Sequence, residues 1–210
     1  MSRLAILGAG GHGKVVAEIA MLAGWAEVVF FDRSWPTQTR CELWNIEGDE
    51  EHLLASAERF NGVAVAIGDN DTRGRWLAVL TDSGVALPAL VHPRAIVSQF
   101  SRIGEGSLVG ASAVLNPFAT IERGAIVNTG AVVEHDCVIG PYVHVGPGAV
   151  LSGAVRIGER SHVGAGSVVR QGISIGVGAT VGAGSVVITD VPPGATVVGV
   201  PAGPIARALG

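Results

Sequence analysis

The chain has 210 residues, of which 48% are hydrophobic and 15% charged, with a formal net charge of −4. That length admits one large domain or two small ones, and an acidic balance without any basic run argues against nucleic acid as a partner. The mean hydropathy of +0.46 comes from Val, Ala and Ile interleaved with polar residues, and no run approaches the roughly eighteen apolar residues of a membrane span, so membrane insertion is not expected.

Residues 4–7, Leu-Ala-Ile-Leu, read as a buried strand so close to the first residue that no signal peptide fits before it, which makes the cytoplasm the expected compartment. The turn Gly-Ala-Gly-Gly-His-Gly follows at 8–13, with a helix expected over 14–23. Strand, glycine turn and helix in that order present backbone N–H groups to a pyrophosphate. A second strand, 28–31, ends at Asp32, nineteen positions after Gly13, where a dinucleotide-binding domain meets a ribose hydroxyl. Residues 35–49 read as an irregular loop, 50–60 as a helix, 63–67 as a third strand leading into Gly68, and 72–80 as a further helix. This is about one mononucleotide-binding half, too short for the paired halves that hold NAD. A nucleotide or nucleotide-sugar is therefore the favoured ligand, and a dinucleotide-dependent oxidoreductase is the alternative. Gly11, His12, Gly13, Asp32, Arg33 and Gly68 are the candidate substrate-binding residues, with Arg33 either a pyrophosphate partner or a solvated surface cation.

From Val91 to Val187 an aliphatic residue returns at every sixth position, and four residues after each stands a mostly small one, such as Ala113, Ala131, Cys137 or Ser161. A period of six fits neither a helix nor a simple strand and requires a repeat architecture. One short strand and one corner per hexad, with three hexads to an eighteen-residue coil, would stack into a prism with the aliphatic column inside. Gly104, Gly110, Gly146, Gly158, Gly164 and Gly182 are expected to supply the freedom that the corners need. The domains are then 1–88, 89–192 and a tail, 193–210. Cys41 and Cys137 have neither disulfide nor zinc spacing, and no metal is expected.

On the repeat, His135 stands between Glu134 and Asp136 in a segment otherwise apolar or small, which makes it the candidate general base with a carboxylate to orient the ring. Eighteen residues on, Gly153 falls over His135, either as a plain corner or as a backbone N–H for a developing oxyanion. Asn128, one side of the triangle before His135, is either a turn residue or a group facing it across a subunit interface. His144 and His162 are one coil apart, as are Ala165 and Ala183 in their Gly-Ala-Gly segments. A non-catalytic solenoid scaffold is the alternative from another class, although it has no need of Glu-His-Asp on its wall.

The glycine turn with Lys14, followed by a hexad repeat carrying Asn-Thr-Gly-Ala-Val-Val-Glu-His-Asp at 128–136, resembles the NeuD/PglD family of sugar acetyltransferases over essentially the whole chain. The resemblance implies an α/β half-Rossmann (βαβαβ) domain followed by a left-handed parallel β-helix, a hand that runs against the usual crossover preference. It implies a homotrimer with active sites between protomers, and acetyl transfer from acetyl-CoA to the C4 amine of a UDP-, GDP- or dTDP-linked 4-amino-4,6-dideoxy sugar. O-acetylation of sialic acid is the alternative within the class. By the same resemblance Asp136 supports the histidine, His144 contacts the coenzyme, and backbone near Ala165 and Ala183 meets its pantetheine arm. Gly203 stands where relatives commonly carry Lys or Arg after Pro-Ala, so Arg160, Arg170 or Arg207 are the candidate replacements for a contact to the coenzyme phosphates.

Overall fold

The computed structural model describes residues 2–205, and the chain divides into two compact units, Met1–Pro93 and Arg94–Gly210. In the first unit β1 (Arg3–Leu7) is buried from Leu4 onward, as expected of a strand covered on both faces of a parallel sheet. It lies between β2 (Glu27–Phe31) and β5 (Gly62–Val65), both parallel to it, with Leu4 opposite Val28 on one side and Gly62 on the other. The connection from β1 to β2 is α1 (Gly11–Leu22), whose Val16, Ala17, Ile19 and Ala20 form the buried face. This helix starts three residues before the expected position, so the glycine turn supplies its first turn.

Residues 35–49 correct the expectation of an irregular loop. They contain a hairpin, β3 (Arg40–Cys41) antiparallel to β4 (Trp44–Gly48), and β4 adds a parallel strand beside β2, giving the order β3-β4-β2-β1-β5. Within the hairpin strands only Cys41, Ile46 and Gly48 are buried, too few for a period to register. The unpaired backbone edge of β2 recruits the segment instead. Two more helices carry their own caps: α2 (Glu50–Ala55) begins at Asp49, whose carboxylate accepts from His52 N at 3.1 Å, and α3 (Asn70–Asp82) at Asp69, which accepts from Thr72 N at 2.8 Å. After α2 the expected helix gives way to a 3₁₀ turn, Ala57–Arg59.

The second unit is the expected prism. Two-residue strands stack parallel at a spacing of eighteen residues, as Val114↔Val132, Thr120↔Val138 and Ile126↔His144 illustrate for its three faces. One face runs from Ile96–Val97 to Val186–Val187 and another from Arg102–Ile103 to Ser174–Ile175. The third runs from Leu108–Val109 through Thr180–Val181, and Thr196–Val198 adds a parallel rung before Gly203–Pro204 turns back antiparallel, so the stack continues past residue 192. Val109, Val127, Val133, Val145 and Leu151 are fully buried inside. The polar members of the small column are satisfied: the hydroxyls of Ser107, Ser161 and Ser167 donate to the carbonyls of Glu122, Gly176 and Gly182 at 2.8, 2.6 and 2.8 Å.

The corner glycines act differently from the expectation. None of Gly104, Gly110, Gly146, Gly158, Gly164 and Gly182 has a positive φ; what each excludes is a Cβ, which would stand 2.5 Å from Arg123 N at Gly104 and 2.4 Å from Ala183 N at Gly164. The left-handed column lies two residues further on and includes Ser112, Phe118, Asp136, Tyr142, Ala154 and Arg160 besides glycines. Among the described residues no helix is long and apolar enough to cross a membrane.

Candidate active site

In the first unit a cleft of about 460 Å³ opens at the strand ends, lined by Gly8, Gly10, Asp32, Arg33, Glu50, Asp69 and Trp76 among others. Of the six candidates here, Asp32 and Arg33 line it, whereas Gly11, His12, Gly13 and Gly68 do not. Gly13 is buried, and a Cβ there would lie 2.3 Å from Gly8 O and 3.0 Å from Phe30 Cε1, so this glycine lets α1 pack against the sheet. Asp32 accepts from Ala9 N at 2.8 Å and Ser34 N at 2.9 Å, which makes it the brace of the glycine turn as well as part of the cleft wall. Burial pushes its carboxyl up, but these N–H donors outweigh burial and hold it below the usual range. His12 is held below the usual imidazole range by burial and, secondly, by the positive charge of Arg73. Arg73 was not among the sequence candidates.

In the second unit His135 and Asp136 form the corner between Val132–Val133 and Val138–Ile139. His135 Nδ1 lies 2.8 Å from Asp136 Oδ2, and both side chains are more than half exposed, at 54% and 59%. A carboxylate only accepts, so the neutral ring keeps its proton on Nδ1 and presents the lone pair of Nε2. Asp136 takes a left-handed conformation at φ 61°. The corner is tied to the coils on both sides, Asp136 N donating to Pro117 O at 3.3 Å and Ala154 N to His135 O at 2.8 Å. Gly153 lies where stacking places it: a Cβ there would stand 2.6 Å from both Cε1 and Nε2 of the imidazole. Glu134 points elsewhere and accepts from Asn116 Nδ2 at 2.8 Å. Asn116 also escaped the sequence reading, although it precedes Glu134 by eighteen residues and the stacking rule would have found it.

The remaining candidates occupy another part of the prism. His144 and His162 occupy adjacent rungs of one face and meet edge to face, with ring centroids 5.0 Å apart. Asn128 Nδ2 lies 3.1 Å from His144 Nε2, so within one chain it is a neighbour of His144. Ala165 and Ala183 are exposed on the following corner, where Gly130, Gly148, Gly166 and Gly184 all take positive φ with nothing within 4 Å of an added Cβ. Such a strip of bare backbone fits a thin chain such as a pantetheine arm. Arg160 is engaged by Glu159 at 2.6 Å and stacks on Tyr142, Arg170 is exposed, and Arg207 lies outside the described residues. Among the described residues no group of three or more His, Cys, Asp or Glu is placed to hold a metal ion.

A glycine-turn α/β unit followed by a hexad prism with an exposed His–Asp pair defines a hexapeptide-repeat transferase, and comparison with known proteins agrees. Residues 3–80 match the PglD N-terminal domain, 118–153 the bacterial transferase hexapeptide (six repeats), and 154–189 the hexapeptide repeat of succinyl-transferase. The chain is 44% identical to the acetyltransferase domain of PglB from Neisseria gonorrhoeae FA1090, covering 98% of this chain and 100% of that one, with a TM-score of 0.93. The same domain solved in complex with acetyl coenzyme A gives 45% identity, coverage of 97% and 98%, and a TM-score of 0.92. PerB from Caulobacter crescentus, in complex with CoA and GDP-perosamine, gives 37%, 98% of each chain, and 0.93. No curated protein matches the chain. The chain belongs to the PglD/NeuD-type sugar acetyltransferases, acetyl-CoA-dependent enzymes of the hexapeptide-repeat superfamily, and its prism is a left-handed parallel β-helix.

Proposed function

We propose that the protein transfers the acetyl group of acetyl-CoA to the C4 amine of a nucleotide-linked 4-amino-4,6-dideoxy sugar, with His135 as general base. The observation that carries this reading is the His135–Asp136 pair with Gly153 over the ring. Nε2 of His135 accepts a proton from the amine nitrogen as its bond to the acetyl carbon forms. Asp136 stabilises the imidazolium, the Gly153 N–H serves the developing oxyanion, and the imidazolium returns the proton to the departing thiolate. Products are an amide and a thiol, with charge and protons balanced. The nucleotide occupies the cleft of the first unit, and the relative solved with GDP-perosamine supports an acceptor of this kind.

In this reading the working unit is a homotrimer. His135 and the Ala165–Ala183 strip occupy different corners of the prism, separated by a side of six residues, roughly 20 Å of chain. A second copy brings its coenzyme strip, with Asn128 and His144, against the His135 corner. The test measures thiol release from acetyl-CoA against UDP-, GDP- and dTDP-linked amino sugars and free sialic acid, with light scattering of the same sample. Turnover with a nucleotide-linked amine by a trimer is expected. Turnover with the sialic acid hydroxyl alone replaces the amine by the O-acetyl reading, and an active monomer defeats the shared site.

A further inference from the structure

Arg73 occupies a core position of α3. It falls in step with Leu77 and Leu80 on the buried face of that helix and is only 1% exposed. An apolar side chain would fill that position with no charge to desolvate, whereas a buried cation is tolerated only where hydrogen bonds meet it. Burial draws its pKa down to about 10, against the opposing charge of Asp69. The guanidinium grips the segment before and at the start of the helix: Nη1 donates to Ile67 O at 3.0 Å and Gly68 O at 3.1 Å, and Nη2 to Asn70 Oδ1 at 2.7 Å. It therefore fastens the exit of β5, the loop and the first residue of α3 to one rigid fork. Ile67, Asp69, Thr72 and Trp76, around and beyond this fork, line the 460 Å³ cleft. Gly8 and Gly10 of the glycine turn line the same cleft, and the turn leads into His12, whose ring feels the charge of Arg73.

We infer that Arg73 is a positioning residue for acceptor binding: it touches no ligand, but it holds the loop 67–70 in the shape that lines the cleft for the nucleotide-linked sugar. The inference rests on the acceptor reading proposed above. A loop of this kind, with a glycine and two short polar residues, has many alternative conformations, and fixing one before binding removes that ordering cost from the binding step.

The decisive variant is Arg73→Lys, which keeps the charge but has one nitrogen and cannot span both carbonyls and Asn70. Its KM for the nucleotide-linked acceptor should rise at least tenfold, and the Kd of whichever of UDP, GDP and dTDP the wild type binds in calorimetry should rise with it. Turnover at saturating acceptor and KM for acetyl-CoA should stay within about twofold. Asn70→Ala, which removes one arm of the clamp, should raise the acceptor KM less. Leu77→Ala, on the same helix face but off the clamp, is the stability control and should lower Tm without moving the acceptor KM. If the wild type turns over a nucleotide-linked sugar and Arg73→Lys leaves its KM unchanged, or Leu77→Ala raises it equally, the inference fails and the functional reading stands. A wild type that binds a nucleoside diphosphate, more weakly as Arg73→Lys, but acetylates no nucleotide-linked sugar keeps the clamp and loses the functional reading. Binding of none of the three defeats both.

Discussion

The two units hold their functional groups in place by opposite means. In the prism the backbone does the positioning: every rung repeats its neighbour eighteen residues on, and His135 is fixed because the coils before and after it bond to its corner. In the α/β unit single side chains do it, with Asp32 bracing the glycine turn, Asp49 and Asp69 capping helices, and Arg73 clamping the loop at 67–70. A repeated scaffold can therefore lose a surface side chain and keep its shape, while the non-repeating unit depends on individual polar groups and on their ionisation.

The strongest way to sharpen that contrast is His135→Ala. The side chain lies outside the aliphatic column, so Tm should stay at the wild-type value while kcat falls by roughly 10²–10⁴-fold, the usual worth of a positioned base. Steady-state kinetics beside a thermal melt checks it, and normal turnover by a folded variant returns Glu134-His135-Asp136 to a solvated corner. The converse is Leu151→Ala, a fully buried rung of the same prism, which should cost about 2–5 kcal/mol in denaturant unfolding because a cavity opens between fixed coils. Between the two lies Gly153→Ala. Its new methyl would start 2.6 Å from His135 Nε2, so the ring must move, and a displaced base should lower kcat about 10²-fold, with KM for acetyl-CoA unchanged.

The same difference decides how much the sequence disclosed. The prism was legible because one rule is tested at every hexad, and stacking arithmetic put Gly153 over His135 and His162 beside His144 before any coordinates. Its hand was not legible from periodicity, nor was the division of labour at the corners, where Gly104 avoids a clash but Asp136 and Ala154 carry the positive φ. In the α/β unit the β1–α1 turn was legible as a motif. The β3–β4 hairpin was not, since it is recruited by the edge of β2 and carries no pattern of its own. Arg73 was hidden for a physical reason: a cation on a helix reads as surface, and only its phase with Leu77 and Leu80 marks it as buried.

Acid should separate the units. Asp49 is held below the usual carboxylate range by the His52 side chain, Asp69 by the Thr72 side chain, and Asp32 by N–H donors that outweigh its burial. Unfolding at low pH lets each bind a proton more readily, so their contribution is complete above the ordinary value of 3.8 and is lost as pH falls through the lower folded values. His12 has the same sign: its contribution is complete above 6.5 and declines as pH falls toward its folded value. The buried columns of the prism are aliphatic or small, and burial pushes the Cys137 thiol up, which matters only in alkali. Hydrogen exchange at about pH 7, 5 and 3, which spans the ordinary values of both His12 and the three carboxyls, should show β1, β2 and β5 losing protection first while the rungs around Val127 and Val145 keep theirs. Simultaneous loss in both units would break the comparison.

The smallest expected effect tests whether the prism tolerates strain because its neighbours impose it. Ala154 sits in the left-handed column at φ 59°, where a side chain costs roughly 1–2 kcal/mol relative to an unstrained conformation. Ala154→Gly removes that strain and also enlarges the freedom of the unfolded chain, which opposes it by about 0.4–1 kcal/mol. The net should be a stabilisation of about 1 kcal/mol or less, read as a rise in the urea midpoint at unchanged slope. Because Ala154 N donates to His135 O, the same variant reports whether strain at this corner serves the base. Unchanged kcat with a higher midpoint means that the strain is only what an eighteen-residue coil demands of every corner, whereas a lower kcat with a higher midpoint means that the side chain at 154 stiffens the backbone carrying His135, and that even in the repeating unit one residue has been given a private task.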